Sequence, residues 1–573
     1  MRRTHRPPMR LNLSCSLPLL LVCASALPFF PARSLARQSI PAGSQAPGAS
    51  SSPASPSNSP AVAAPASPKD PDAPAPSALE QGLVSFYEQG FEAAASRFTQ
   101  ASASPGIEGA RAYAWLARTD LHLHNLDDAD KAAHKAIELA PTLPASQSAL
   151  AEVYFRQAKF ADAEQTLHNL LATKNPDARA FLTFARIYWA TANYKAAKSC
   201  IDLARRMDPL DPDIEMEWAD TLPRSQRLEE WKKRLAKGGY EDEEQRVGLQ
   251  AEISMLEDQE HQPQHTCKLT TKSLPAEIKL ESLLFDAKHL RGYGLQVRVN
   301  DASSKLLLDT GSFGILINSK IAQRAGVTKI ADMHISGIGD RGPAGGFLGF
   351  AKKLQIGSLI FEDCFVDVID KKSSLGEDGL IGADIFADFL VDLDFPNARL
   401  RLSELPPFPD EPATIPGLQM SQPEKNPLHN RWIPPQFSSY ERVYRFGHIL
   451  LIPGFINDSP PKLFMVDTGG WDNFITPAAA KGYTKIYSDS DTEVKGLSGK
   501  VKKVYSTGAV TLVFGHFKQF RLDLVAFDLT HTSDNLGTEV AGSLGFAMLY
   551  MLEIKIDYRD HLMDFFYDPN RFH

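Results

Sequence analysis

Leu463-Phe464-Met465-Val466-Asp467-Thr468-Gly469-Gly470 repeats, in related form, an earlier stretch of the same chain, Lys305-Leu306-Leu307-Leu308-Asp309-Thr310-Gly311-Ser312. In both, an apolar run of strand length enters Asp-Thr-Gly, the pattern of a buried strand that ends in a tight turn. At average residue frequencies an Asp-Thr-Gly triplet arises on the order of 0.1 times in a chain this long, so two copies in the same context are informative. The surroundings repeat as well. Leu380-Ile381-Gly382 lies 73 residues after the first Asp (382−309) and Ser543-Leu544-Gly545 lies 78 after the second (545−467). Gly382 and Gly545, Asp394 and Asp557, and Phe395 and Tyr558 then keep one offset of 163. The second half of the chain reads as two duplicated lobes.

From Thr266 onward the texture is alternating and β-branched, as in Leu295-Gln296-Val297-Arg298-Val299, with Gly-rich turns between the runs. The order of strand, Asp-Thr-Gly, Gly-rich hairpin (Ser336-Gly337-Ile338-Gly339-Asp340) and apolar-apolar-Gly resembles a lobe of the retropepsin-like aspartyl proteases. Two such lobes in one chain resemble the pepsin arrangement. The resemblance covers roughly residues 265–573 and implies that the two Asp-Thr-Gly loops face each other across the lobe boundary. It makes Asp309 and Asp467 the expected catalytic pair, with Thr310, Gly311, Ser312, Thr468 and Gly469 as supporting loop residues. The hairpins carrying Gly337 and Gly339, and Gly496 and Gly499, are the expected flaps over substrate.

Two carboxylates about one hydrogen bond apart cannot both ionise easily and come to share a proton. The ionised member can take a proton from water while the other donates to the scissile carbonyl. The second lobe departs from the family pattern at Gly470, where the first has Ser312, and at Ser543, which replaces an apolar residue. The second loop is therefore expected to be the less well organised of the two. Against the exported aspartic endopeptidase stands the alternative of a non-catalytic envelope adaptor whose degenerate lobes bind peptides.

Ahead of this module runs a second periodicity. Ala117, Ala151 and Ala185, then Leu126, Phe160 and Tyr194, then Ala129, Ala163 and Ala197, are each spaced by 34, and Pro141, Pro176 and Pro209 close successive units. Gly82, Phe91 and Ala94 stand 35 residues before their counterparts. Small residues that let two helices approach, an aromatic or Leu wedge and a terminating Pro describe a helical hairpin per unit. This resembles the tetratricopeptide repeat and implies a protein partner held by the array. The expected fold is multidomain: an all-α helical repeat array, then an all-β, two-lobed pepsin/retropepsin-like module.

The remaining segments set the boundaries. Arg2, Arg3, Arg6 and Arg10 ahead of the apolar stretch Leu17 to Phe30 read as a cleavable secretory signal over residues 1–36. Residues 37–77, rich in Pro, Ala and Ser, lack the apolar bulk to fold and read as a tether. The repeats follow at 78–212, a helical cap and connector at 213–262, the first lobe at 263–410, a linker at 411–440 and the second lobe at 441–573. A secreted or envelope location follows from the leader.

A net charge of −8 without a basic stripe excludes a nucleic-acid partner. No Cys or His pair has zinc-ligand spacing, so neither metal nor cofactor is expected. Once the leader is removed, Cys200, Cys267 and Cys364 are an odd, scattered set from which no disulfide framework is expected.

Overall fold

The computed structural model describes residues 75–571 apart from 174, 239–242, 261–266, 272–273, 286–288, 370–377, 410–427 and 489–491. The expected leader, nearly all of the tether and the larger part of the interlobe linker lie outside the described residues. Helices dominate the first half and strands the region after residue 268.

Four helical hairpins open the structure: Ala78–Tyr87 with Phe91–Ala101, Gly106–His122 with Leu126–Leu139, Pro144–Arg156 with Phe160–Ala172, and Ala178–Ala190 with Tyr194–Met207. The alanines that mark the repeat, from Ala117 to Ala197, are at most 1% exposed, which lets paired helices pack closely. Each hairpin turns through one residue in the left-handed region, at Gln89, His124, Ala158 and Ala192. Along the first helices of successive hairpins runs a buried chain of charges. The Arg118 guanidinium donates to Glu152, and Arg179 donates to Glu152, Asp211 and Asp213. Tyr87 reaches Asp208, 121 residues away, and so ties the first hairpin to the end of the fourth. The inner charges of the array are thus spent on one another.

The β module consists of three principal sheets. A nine-stranded sheet builds the first lobe, a ten-stranded sheet the second, and a six-stranded sheet is shared. In the shared sheet Phe389–Asp394 of the first lobe pairs antiparallel with Glu553–Asp557 of the second, Leu390 opposite Asp557 and Asp394 opposite Glu553. The lobes therefore pair within one chain. A single apolar core runs through both, from Ala276 to Phe565.

The strands that carry the Asp-Thr-Gly loops are flanked on both edges and buried on both faces, which is why they read as unbroken apolar runs. Ala302–Asp309 pairs parallel with Gly379–Gly382, bringing Asp309 opposite Gly382. Lys462–Asp467 pairs parallel with Gly542–Gly545, bringing Asp467 opposite Gly545. The offset of 163 in the sequence is this parallel crossing, made once in each lobe.

One expectation is corrected here. Cys267 and Cys364 form a disulfide, with Cα atoms 4.0 Å apart, between the strand Lys268–Leu269 and the strand Leu359–Ile369 to which it pairs. The odd cysteine count concealed a bonded pair, because the 97 residues between the partners are closed by sheet pairing that no local pattern reveals. Cys200 is free.

The helical array docks on the second lobe. Glu539 N donates to the Arg156 carbonyl at 2.9 Å and Thr538 Oγ1 to the Phe155 carbonyl at 3.0 Å. The Arg156 side chain ion-pairs with Asp534 and Glu539. Tyr194 Oη and His561 Nε2 lie 2.7 Å apart in a buried contact. Phe160 packs on Tyr444 with ring centroids 4.5 Å apart.

Candidate active site

Asp309 and Asp467 are the last residues of their strands, and both are fully buried. Four hydrogen bonds join their loops. Thr310 N donates to Thr468 Oγ1 and Thr468 N to Thr310 Oγ1, both at 3.0 Å. Each hydroxyl then donates onward into the opposite lobe, Thr310 Oγ1 to the Val466 carbonyl at 2.7 Å and Thr468 Oγ1 to the Leu308 carbonyl at 2.9 Å. Every donor and acceptor of the two hydroxyls is used, so neither loop can shift without leaving a buried group unpaired.

Backbone amides orient the carboxyls. Gly311 N donates to Asp309 Oδ1 at 2.8 Å, and both Gly469 N and Gly470 N donate to Asp467 Oδ1 at 2.9 Å. The absence of a side chain at Gly469 is a steric requirement: a Cβ there would lie 2.2 Å from Cγ and Oδ2 of Asp309. The two carboxyls consequently face each other within hydrogen-bonding reach. Burial and the facing Asp467 push the Asp309 pKa well up, against partial relief from Gly311 N and Arg291. A proton is held between the two carboxyls.

The expected weakness of the second loop takes a different form. Ser312 Oγ is buried and makes no hydrogen bond among the described residues, so its absence at Gly470 removes no bond to a carboxyl. Gly470 instead contributes a second amide to Asp467. Asp384, whose Oδ1 accepts from Gly314 N at 3.0 Å, ties the first loop to its own lobe. Asn473 does so for the second, its Oδ1 accepting from Gly545 N at 2.7 Å.

The four flap glycines stand apart from the carboxyls, in a contact between two hairpins. The turn joining Thr328–Ile335 to Ala344–Ile356 meets the turn between Lys495–Gly496 and Gly499–Lys500. Gly337 N donates to Ser498 Oγ and Ser498 N to the Ile338 carbonyl, both at 3.0 Å, and Arg341 N donates to the Ser498 carbonyl at 2.9 Å. Gly339 adopts φ +130, and a Cβ there would stand 2.4 Å from the Ser498 backbone. Ile338 packs in a cluster with Phe474 and Val494 of the second lobe, while Leu497 packs against Leu307 and Ile335 of the first. Each tip is seated in the other lobe.

Two residues beside the loops were missed in the sequence. His448 is buried, its ring hydrogen-bonded to the Gly311 backbone and 5.8 Å from the Phe313 ring, and burial pushes its pKa down to about 4. Arg291, also buried, lies near Asp309 and beneath its influence on the pair. A signal was present: Arg291 precedes its Asp by 18 residues (309−291) and His448 by 19 (467−448), so the duplication places a basic residue at matching sites.

The fold and the facing Asp-Thr-Gly loops define a two-lobed aspartyl-protease-type module behind a tetratricopeptide-type array. Residues 295–385 match the family model described as aspartyl protease, and residues 154–216 match the model described as tetratricopeptide repeat. DNA damage-inducible protein 1 of Kluyveromyces lactis is 25% identical over 181 residues, 31% of this chain and 38% of that protein's length. Among solved structures, the aspartic proteinase from Irpex lacteus matches at 12% identity and a TM-score of 0.32, covering 52% of this chain and 98% of the proteinase. A tetratricopeptide protein of Thermus thermophilus matches at 17% identity and a TM-score of 0.24, covering 31% of this chain and 96% of that one.

Proposed function

We propose that the chain is an exported aspartic endopeptidase with Asp309 and Asp467 as its catalytic pair. The observation that carries this reading is the buried, proton-sharing carboxyl pair held by reciprocal threonine bonds. The ionised carboxyl takes a proton from a water molecule whose oxygen attacks the scissile carbonyl carbon, and the protonated carboxyl donates to the carbonyl oxygen. The resulting tetrahedral diol collapses as the C–N bond breaks and the leaving nitrogen takes a proton from the pair. No covalent enzyme intermediate forms. The interlocked hairpin tips must part for a peptide to enter, and on closing again they shield the reacting groups from bulk water.

The disulfide supports passage into an oxidising compartment, which agrees with the basic and apolar leader. The array is proposed to recruit a protein partner or substrate. Because its inner charges pair among themselves, recruitment falls to its outer faces and to its seam with the second lobe.

The decisive experiment is digestion of a diverse peptide mixture between pH 3 and 8 by the full chain, beside Asp309→Asn and Asp467→Asn. Cleavage by the parent alone is the expected result, and cleavage retained in either variant would sink the assignment. The alternative, a peptide-binding adaptor without turnover, is favoured by one observation, the full burial of both carboxyls in the closed state. It predicts saturable peptide binding with no hydrolysis at any pH.

A further inference from the structure

Where the helical array meets the second lobe, a cavity of about 220 Å³ lies between Phe160 and Glu164 of the helix Phe160–Ala172, Asn193 ahead of the next helix, and Arg431, Arg442 and Tyr444 of the second-lobe side. It is smaller than the roughly 300 Å³ at which pockets for drug-sized ligands begin, and it suits one residue or a molecule of that size. Its charge is unbalanced. Neither guanidinium forms an ion pair among the described residues. Arg431 Nη2 donates to the Val443 carbonyl at 3.3 Å, while its Nε is buried without a hydrogen-bond partner. The two cations also disfavour each other: burial and Arg442 pull the Arg431 pKa down. Glu164, the one carboxyl in the lining, is pushed toward its neutral form by burial and is a poor counter-charge.

A buried cation without a counter-ion is costly, and the surrounding groups define what would relieve it. A guanidinium presents paired N–H donors that match a carboxylate. The Phe160 and Tyr444 rings, in mutual contact, supply an apolar wall beside them. Recognition at this seam thus requires an anionic head joined to an apolar body of about one residue. We propose that the cavity binds an α-carboxylate carrying an apolar side chain, as at the C-terminus of a peptide or in a free apolar amino acid. Its walls come from both modules, so an occupant bridges the array and the second lobe.

The site acts independently of catalysis, and the test is arranged accordingly. Full-length protein carrying Asp467→Asn is titrated calorimetrically with N-acetyl-Ala-Phe as the free acid, with its C-terminal amide, with phenylalanine and with inorganic phosphate. The free acid is expected to bind, the amide at least tenfold more weakly, and Arg431→Gln and Arg442→Gln are each expected to weaken the acid at least tenfold. Arg442 is exposed and its replacement leaves the fold intact, so it carries the test should the Arg431 variant melt early. Binding by the acetylated dipeptide acid identifies a peptide terminus as the source, and binding by phenylalanine alone identifies the free amino acid. The proposal is overturned by equal binding of acid and amide, by phosphate binding without either carboxylate ligand, by unchanged affinity in both arginine variants, or by no binding at millimolar concentration.

Discussion

Thr310 and Thr468 hold each other by reciprocal amide-to-hydroxyl bonds of 3.0 Å, and each hydroxyl anchors in the opposite lobe, at Val466 and at Leu308. The pair is the point at which two separately folded strands become one site. Thr468→Val keeps the shape and removes the hydroxyl, leaving Thr310 N and the Leu308 carbonyl buried and unpaired. At about 1–3 kcal/mol per orphaned group, a loss of about 2–5 kcal/mol is expected in urea unfolding. An unchanged midpoint would show that these bonds contribute nothing net.

Asp309 has its pKa raised in the folded state. The folded chain therefore holds this proton more tightly than the unfolded chain, whose Asp titrates near about 3.9. Stability from this group is complete below that value and is lost as pH rises through the raised folded pKa. Asp309→Asn removes the titration. It is expected to melt above the parent at pH 7, by about 2–4 °C per kcal/mol relieved, with the gap closing toward pH 4. Thermal scans at the two pH values check this, and a variant that melts lower at pH 7 contradicts it.

Other buried carboxyls act in the same direction. Burial raises Asp367 to about 7 and Asp120, Asp384 and Asp557 to about 6, so each loses stability as pH climbs from about 4 toward those values. His448, lowered to about 4, and His561, lowered further, have the opposite sign, their contribution being present above about 6.5 and lost as pH falls. The carboxyls outnumber the imidazoles. The melting temperature of the full chain is expected to fall from pH 5 to pH 8, and Asp367→Asn to flatten part of that fall. A profile that rises over this range would contradict the assignment.

The Cys267–Cys364 bond closes a separation of 97 residues. Restricting the unfolded chain over a loop of this length is worth up to about 5 kcal/mol. Reductant is expected to lower the urea midpoint of the parent and to leave the Cys267→Ser/Cys364→Ser double variant unmoved. Equal midpoints for the parent with and without reductant would show that the bond adds no stability.

Much of the fold is legible in the residues because each element is written locally. Ala117, Ala151 and Ala185 recur at 34 because every hairpin must solve the same packing problem, and the run Leu306-Leu307-Leu308 is apolar throughout because its strand is buried on both faces. The candidate site was legible as far as the loops themselves, from Asp309 to Ser312 and from Asp467 to Gly469. His448 was not, because nothing near it in sequence announces contact with Gly311, a residue 137 positions away (448−311).

By itself the sequence determined the two classes of architecture, the duplication and the identity of the facing acids, since all of these rest on periodicity and on short motifs whose geometry is set within a few bonds. Only the tertiary structure decided that Cys267 meets Cys364, that the hairpin tips exchange Ile338 and Leu497 between lobes, that the charges inside the array pair with one another, and that two arginines share the seam with the second lobe. Such contacts join residues far apart in the chain. Their partners are chosen by chain closure and the exclusion of water from the assembled core, which act on the whole molecule and leave no periodic trace along it.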